Sequence, residues 1–253
     1  MSAESNIALD ELIHQYEEQL PRFERIREVL HGDIESWASL RPLLHSVRSR
    51  VKDPQHLRDK IIRKADKYCN RDGRLILTIE NLPFMLNDLV GVRVIHLYTR
   101  QFAAIRKELD DCIRDNVYVL REGPIARVWD SEQRAYYTSI GVETKESRNL
   151  YTSVHYVIGT SGQERGGTAE IQVRTLADEL WGEVDHLINY PEQHEDDVCR
   201  EQIAVLARIT SGASRLTDSI FLSHEAARRR AATAAEQSAL ADDQKFTHSS
   251  DEK

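Results

Sequence analysis

Nothing in this chain pairs its cysteines. Cys69, Cys112 and Cys199 are odd in number, far apart and outside any CxxC or Cys/His cluster. That spacing argues against a disulfide framework and a thiolate zinc site, and predicts ordinary reduced thiols. Missing too is any apolar run near the roughly 20 residues a membrane helix needs. Met1 to Asp10 lack the basic start and apolar stretch of a secretory signal, so a cytoplasmic protein is expected. There is no GxxxxGK and no kinase-like glycine loop, which disfavours P-loop and classical kinase chemistry. No internal repeat is visible. A positive excess is absent as well: a net charge of -8 disfavours broad nonspecific binding to nucleic acid or anionic membrane.

What is present is an ordinary globular composition, 40% hydrophobic and 30% charged with a mean hydropathy of -0.53. At 253 residues it suits one main domain with helical extensions. The charge is segregated. Between Arg41 and Arg74 stand eleven Lys/Arg against four Asp, a local +7 that leaves -15 for the rest of a chain whose total is -8. An anion is expected to meet that stretch.

Residues 7–31 carry apolar side chains at helical spacing, with Pro21 expected to split or bend the helix. LLHSVRSRVK, residues 43–52, alternates as a strand and puts Arg48, Arg50 and Lys52 on one face. Asp53 before Pro54 reads as an N-cap with proline at the first helical position, and predicts a helix to about Tyr68. Leu57, Ile61 and Ala65 would be its buried stripe, with His56, Lys60, Arg63 and Lys67 on another face. Its N-terminus beside Arg50 and Lys52 would strengthen an anion site.

LVGVRVIHLY, residues 89–98, reads as a strand buried on both faces with Arg93 as its one full charge; Asp88 or a ligand is the expected partner. Residues 101–114 read as a helix, 117–122, 134–145 and 151–160 as strands, and 168–175 as a strand joined to the preceding one by a glycine-containing turn. Helices are expected at 176–189 and 196–223, the latter with Val198, Val205, Ile209, Leu216 and Ile220 on one face. Beyond His224 a frayed helix or disordered tail is expected.

Three of these strands carry a patterned polar face: Arg50 and Lys52; Tyr151, Ser153 and His155; Glu170, Gln172 and Arg174. Each alone suits the wet side of an antiparallel sheet. Together they combine cations for phosphate, an aromatic ring for stacking and a carboxylate for metal or base work. Asp88 adds a second acid that could flank one Mg2+ with Glu170.

With those residues in order, RVKD at 50–53, Lys60, DLVGVRV at 88–94, YTSVH at 151–155, EIQVRT at 170–175 and WGEVDH at 181–186, the chain resembles the synthetase domain of the RelA/SpoT alarmone synthetases. There is no HD-type hydrolase motif, so it is similar to the small single-domain members. The resemblance implies an α+β fold with a mixed, mostly antiparallel sheet flanked by helices. It spans residues 41–191, after a helical extension at 1–40 and before a helix at 192–224 and a polar tail at 225–253.

The resemblance further implies an ATP:GTP diphosphotransferase. Its reaction moves the β,γ-diphosphate of ATP to the 3'-hydroxyl of GDP or GTP with Mg2+ as cofactor, Asp88 and Glu170 binding the metal and Glu170 assisting deprotonation. Arg50 and Arg93 would sandwich adenine, and Lys52, Lys60 and Arg63 would hold ATP phosphates. Tyr151 would stack on guanine, His155 would lie near the acceptor's phosphates, and Gln172 and Arg174 would support that side. Trp181 reads as core, with Asp185 and His186 as secondary candidates.

Family members often carry Ser at His56 and Gly-Tyr-Arg-Ser where this chain has Leu150-Tyr151-Thr152-Ser153. Two alternatives stand beside this reading. One is a tRNA 3'-end pyrophosphokinase, weakly supported by Arg228 to Arg230; the other is an inactive nucleotide-binding module, opposed by the retained acids. Homo-oligomer formation through the terminal helices fits all three.

Overall fold

A computed structural model describes residues 3–116, 118–147, 149–160, 167–189 and 196–248. The chain divides into two compact units, Met1–Ser214 and Arg215–Lys253.

The first unit begins with α1 (Ala3–Ser36), followed by β1 (Ser46–Val51), α2 (Pro54–Arg63), α3 (Ala65–Tyr68), α4 (Leu82–Met85) and β2 (Val90–His96). It continues through α5 (Phe102–Asp115), β3 (Tyr118–Val128), α6 (Ser131–Ser139), β4 (Glu143–Glu146), β5 (Ser153–Thr160), β6 (Thr168–Thr175) and α7 (Leu176–Asn189). The start of α8 (Asp197–His248) completes it, and the described part of the second unit is the remainder of that helix.

The six strands form one mixed sheet in the order β1-β2-β6-β5-β3-β4. β2 runs parallel to β6 and β3 to β4, while β1/β2, β6/β5 and β5/β3 are antiparallel. The α+β class with helical terminal regions is therefore the observed one. Strand alternation sends Val90, Val92 and Val94, Ile171 and Val173, and Val154, Tyr156 and Ile158 to the core with α1 and α5. The intervening residues of the same strands are left for the opposite face.

Pro21 lies within α1 without dividing it. An interior proline costs about 3 kcal/mol. Tyr16 and Phe23 flank it, both fully buried, and each buried ring contributes on the order of 1.5–3 kcal/mol, enough to offset that cost. The Tyr16 hydroxyl also donates to the Lys52 carbonyl at 2.7 Å, fixing the end of β1 against α1.

Elsewhere three expectations change. The helix after Asp53 is capped as read, with Asp53 accepting from the His56 amide at 3.0 Å, but it breaks at Lys64 and resumes as α3. Tyr68, not Ala65, then seals the core.

Residues 134–145 are not one strand: 134–139 belong to α6, and only 143–145 are strand, in β4. Asp130 accepts from the amides of Glu132 and Gln133 at 2.9 and 3.0 Å and starts α6, whose Tyr137 packs edge-on to Phe102 at 5.5 Å. Gly141, at φ +71, turns the chain into β4. An Asp-x-x-Gln capping signal thus outweighed the β propensity of Tyr136, Tyr137 and Thr138.

The helix at 196–223 is α8 and continues to His248. Its Val198, Val205, Ile209, Leu216 and Ile220 are all exposed, whereas Ile203, Ala207, Thr210, Ser211 and Ser214 are buried. The β5–β6 pairing follows the expected hairpin, and residues 161–166 of its glycine-containing turn fall outside the described set. No described helix is long and apolar enough to cross a membrane.

Candidate active site

Strand register assembles the polar face. Arg48 pairs with Arg93, Arg93 with Gln172, and Gln172 with His155, so one row crosses β1, β2, β6 and β5. In the next row Arg50 faces Gly91 and Gly91 faces Glu170. With only hydrogen at Gly91, the space above the sheet between Arg50 and Glu170 stays open. A cleft of about 290 Å3 occupies it, lined by Arg50, Asp88, Arg93, Glu170 and Gln172, with Glu183 and His186 contributed by α7. Arg50, Asp88 and His186 also line a second cavity of about 230 Å3, whose other walls include Lys52, Lys60, Arg63 and Lys64. The two cavities thus share three side chains at their junction.

Asp88 sits between two ammonium groups, with Lys52 Nζ at 3.0 Å and Lys60 Nζ at 2.6 Å, one on each carboxylate oxygen. Burial alone would raise its pKa; the two lysines outweigh that and hold it at about 2. Lys52 is displaced the other way. Its burial is the largest effect, and Lys60 and Arg50 add repulsion that Asp88 only partly relieves, so its pKa is lowered. Lys64 is lowered for similar reasons, by burial and then by Lys60, Lys67 and Arg63. This wall holds more cation than it can neutralise by itself.

The opposite wall is a closed ring of contacts. Glu170 receives His155 Nδ1 at 2.8 Å on one oxygen and Gln172 Nε2 at 2.7 Å on the other. Gln172 Oε1 accepts from Arg174 Nη2 at 2.9 Å. Arg174 lies 5.6 Å from the Tyr151 ring centre, and the Tyr151 hydroxyl is 3.1 Å from His155 Nε2, which closes the circuit. In its neutral form with Nδ1 donating to the carboxylate, the ring accepts from the tyrosine at Nε2. Burial pushes Glu170 up, but the His155 hydrogen bond and charge and the Gln172 amide outweigh it, so its pKa is lowered.

Tyr151 enters this ring through a strained turn. Leu150, just before it, holds φ at +57, the left-handed region that costs a branched residue about 1–2 kcal/mol. Leu150 holds this turn and packs against the Trp181 cluster. Trp181 itself is buried, as read from the sequence, and donates to the Ile203 carbonyl at 3.1 Å.

The structure brings Arg50, Asp88, Arg93, Glu170 and Gln172 to one cleft and Lys52, Lys60 and Arg63 to the adjoining cavity. Tyr151, His155 and Arg174 stand behind Glu170, and Arg174, only 3% exposed, is not on the cleft surface. The expected partner of Arg93 is corrected. Asp88 is occupied by lysines, and Arg93 instead pairs with Glu183 and, at 3.1 Å, with Glu179, both on α7. Asp185 accepts from Asn189 along the same helix at 2.9 Å, while His186 reaches both cavities.

Glu179 and Glu183 were not singled out from the sequence. Their four-residue spacing on α7 was the available signal, because it places both on one helix face over a strand known to contain a buried arginine. Gly182 of the same helix allows the close approach: a Cβ there would lie 2.6 Å from Arg174 Nη1.

Among the described residues no group of three or more His, Cys, Asp or Glu could cage a metal. Asp88 and Glu170, both with lowered pKa, line one cleft, where Glu183 is held by Arg93; a hard divalent cation placed there would take these two carboxylates and fill its remaining positions with water or a ligand's oxygens.

Residues 49–195 match the family model described as the region found in RelA / SpoT proteins. No curated protein matches the chain by sequence. Among solved structures, small alarmone synthetase 1 from Bacillus subtilis bound to its product pppGpp is similar, with a TM-score of 0.59 at 20% identity over 85% of this chain and 99% of that one. The same enzyme bound to AMPCPP gives 0.57 at 15% identity over 82% and 96%. A GTP pyrophosphokinase family protein from Streptococcus pneumoniae gives 0.55 at 21% identity over 87% and 94%. At these identities the likeness establishes the fold.

Proposed function

Because the chain belongs to the RelA/SpoT family, we propose that it is a small alarmone synthetase, moving the β,γ-diphosphate of ATP to the ribose 3'-hydroxyl of GDP or GTP. One observation carries the reading. Two carboxylates with lowered pKa, Asp88 from the turn before β2 and Glu170 from β6, open on a single cleft that continues, through Arg50, Asp88 and His186, into a lysine- and arginine-lined cavity. Relatives of the same fold hold pppGpp and AMPCPP, an acceptor-side product and a donor analogue, which suits such a divided site.

In this reading Arg50 and Arg93 flank the adenine. Planar guanidinium groups stack on a base as ammonium groups cannot. Lys52, Lys60 and Arg63 take the donor phosphates, so the two lysines exchange the Asp88 carboxylate for phosphate oxygens and leave Asp88 open to a cation. Asp88 and Glu170 would hold Mg2+, which supplies charge neutralisation on the diphosphate when bound.

Tyr151 stacks on the acceptor guanine and His155 lies toward the acceptor's phosphates. Gln172, on the cleft wall, and Arg174, behind it, fix the Glu170 and Tyr151 side chains. The 3'-oxygen bonds to the β-phosphorus as the bond from that phosphorus to the α,β-bridging oxygen breaks. AMP leaves, and the hydroxyl proton passes to Glu170. Positioning and charge neutralisation are the larger part of such catalysis.

The test is incubation of the purified protein and Mg2+ with ATP labelled at its β-phosphate, separately with GDP, GTP and total tRNA. Label in ppGpp or pppGpp, with AMP released, supports the proposal and identifies the acceptor. Label moving only to tRNA overturns the acceptor assignment, and no transfer to any of the three overturns the enzyme reading.

A further inference from the structure

We infer that Glu179 is a positioning residue that shares one buried carboxylate between the donor-side Arg93 and the acceptor-side Arg174, and thereby couples the two nucleotide subsites; this rests on the functional reading above. Glu179 is 4% exposed and cannot itself serve as a substrate contact in this arrangement. Its two oxygens are divided between the two halves of the site. Oε1 accepts from Arg93 Nη1 at 3.1 Å and lies 3.9 Å from Arg48 Nη1, while Oε2 lies 3.0 Å from Arg174 Nε. One helix-borne carboxylate therefore faces arginines from β1, β2 and β6.

The two bonds differ in kind. Arg93 donates a hydrogen bond and is held a second time by Glu183. The Arg174 contact is an ion pair whose angle falls short of a hydrogen bond, so Arg174 Nε and Glu179 Oε2 both remain buried without a hydrogen-bond partner. A buried charge pair missing its directional bond is the contact most readily improved by a small shift of either member. Arg174 continues into the ring of Gln172, Glu170, His155 and Tyr151. Any movement of Arg93 on taking up the donor base is thus passed through one carboxylate to the side chains that receive the acceptor. Gly182, by admitting Arg174 beneath α7, is what lets the guanidinium reach Glu179.

Glu183 provides the donor-side comparison, because it contacts Arg93 directly and reaches Arg174 only through the longer-range field. The experiment titrates AMPCPP and GDP into wild-type, Glu179→Gln and Glu183→Gln protein by calorimetry at one fixed Mg2+ concentration, each nucleotide alone and then with the other saturating. Glu179→Gln should weaken both nucleotides by about tenfold, within the usual span of coupling between sites. Glu183→Gln should weaken AMPCPP alone.

In the wild type, saturating AMPCPP should change the GDP dissociation constant at least about threefold, and both variants should shrink that factor. A Glu179→Gln protein with native circular dichroism that loses affinity for one nucleotide only, or for neither, overturns the inference. Should that variant not fold, equal wild-type GDP constants with and without AMPCPP, or an undiminished factor in Glu183→Gln, overturn it instead. Wild-type protein that binds neither nucleotide sinks the functional reading itself.

Discussion

The two walls of the cleft solve the problem of buried charge in opposite ways. On the β1/α2 side Arg50, Lys52, Lys60, Arg63 and Lys64 share a cavity with Asp88 and Asp53, and the pKa values of Lys52 and Lys64 fall, first through burial and then through repulsion from neighbouring cations. On the β5/β6 side every charged group has a partner within a closed ring from Glu170 back to His155. The first wall carries a cationic excess that an anion of several charges would neutralise, and the second has its charges paired, with the Arg174 Nε–Glu179 Oε2 contact short of hydrogen-bond geometry. That difference is what a donor triphosphate and a proton-accepting carboxylate respectively require. It also means that substitutions on the two walls should fail differently.

The sharpest expected contrast concerns the two acids. Glu170→Gln replaces an acid whose neighbours are an imidazole and an amide, so the fold should remain within about 1 kcal/mol of wild type while turnover falls at least about a hundredfold, the scale for losing a transition-state electrostatic group. Near-normal turnover in the labelled-ATP assay would remove Glu170 from the mechanism. Asp88→Asn also leaves Lys52 and Lys60 facing each other in a confined space. It should lower stability by about 2–4 kcal/mol in urea unfolding, and adding Lys52→Met should recover part of that stability but no activity. An Asp88→Asn protein as stable as Glu170→Gln would erase the distinction between the walls.

A smaller effect is expected from Tyr151→Ala. Losing a stacking ring costs about 1–3 kcal/mol per base, so the acceptor KM should rise by about tenfold or more while the donor KM moves less than about twofold. A parallel rise in both would place Tyr151 in support of the whole ring rather than on the acceptor.

Much of this arrangement was legible in the sequence because strands write their faces with a period of two. Glu170, Gln172 and Arg174 emerge on one side of β6 with Ile171 and Val173 in the core, as the alternation implies. The cap at Asp53 was equally plain, being local. What escaped notice depended on contacts distant in the chain. The pairing of Arg93 with Glu179 and Glu183 joins residues 86 and 90 positions apart, and nothing local distinguishes it from the nearer Asp88. The misread stretch at 134–145 failed for a different reason. Its aromatic and β-branched residues suit a strand, and only the cap at Asp130, four residues upstream of Arg134, marks a helix start.

The last expected effect separates the walls by pH. Asp88 titrates at about 2, below the ordinary 3.8, so its contribution to stability is complete above 3.8 and fades as pH falls toward 2. Asp178, at the foot of β6, behaves in reverse. It accepts from the Thr175 hydroxyl at 2.6 Å and sits near Arg174, yet burial outweighs both and raises it from 3.8 to about 6. The folded state therefore binds the proton more tightly than the unfolded chain does. Ionising Asp178 costs stability progressively from about pH 4 to pH 6, and the full cost persists at neutral pH. Asp178→Asn keeps an acceptor for Thr175 but removes the titration, so it should stabilise the protein by about 1–3 kcal/mol at pH 7.5 and by nearly nothing at pH 4. Thermal melts of the two proteins across that range check this; parallel curves would mean that Asp178 is not held neutral by its burial, and that the acceptor-side wall carries no hidden charge penalty.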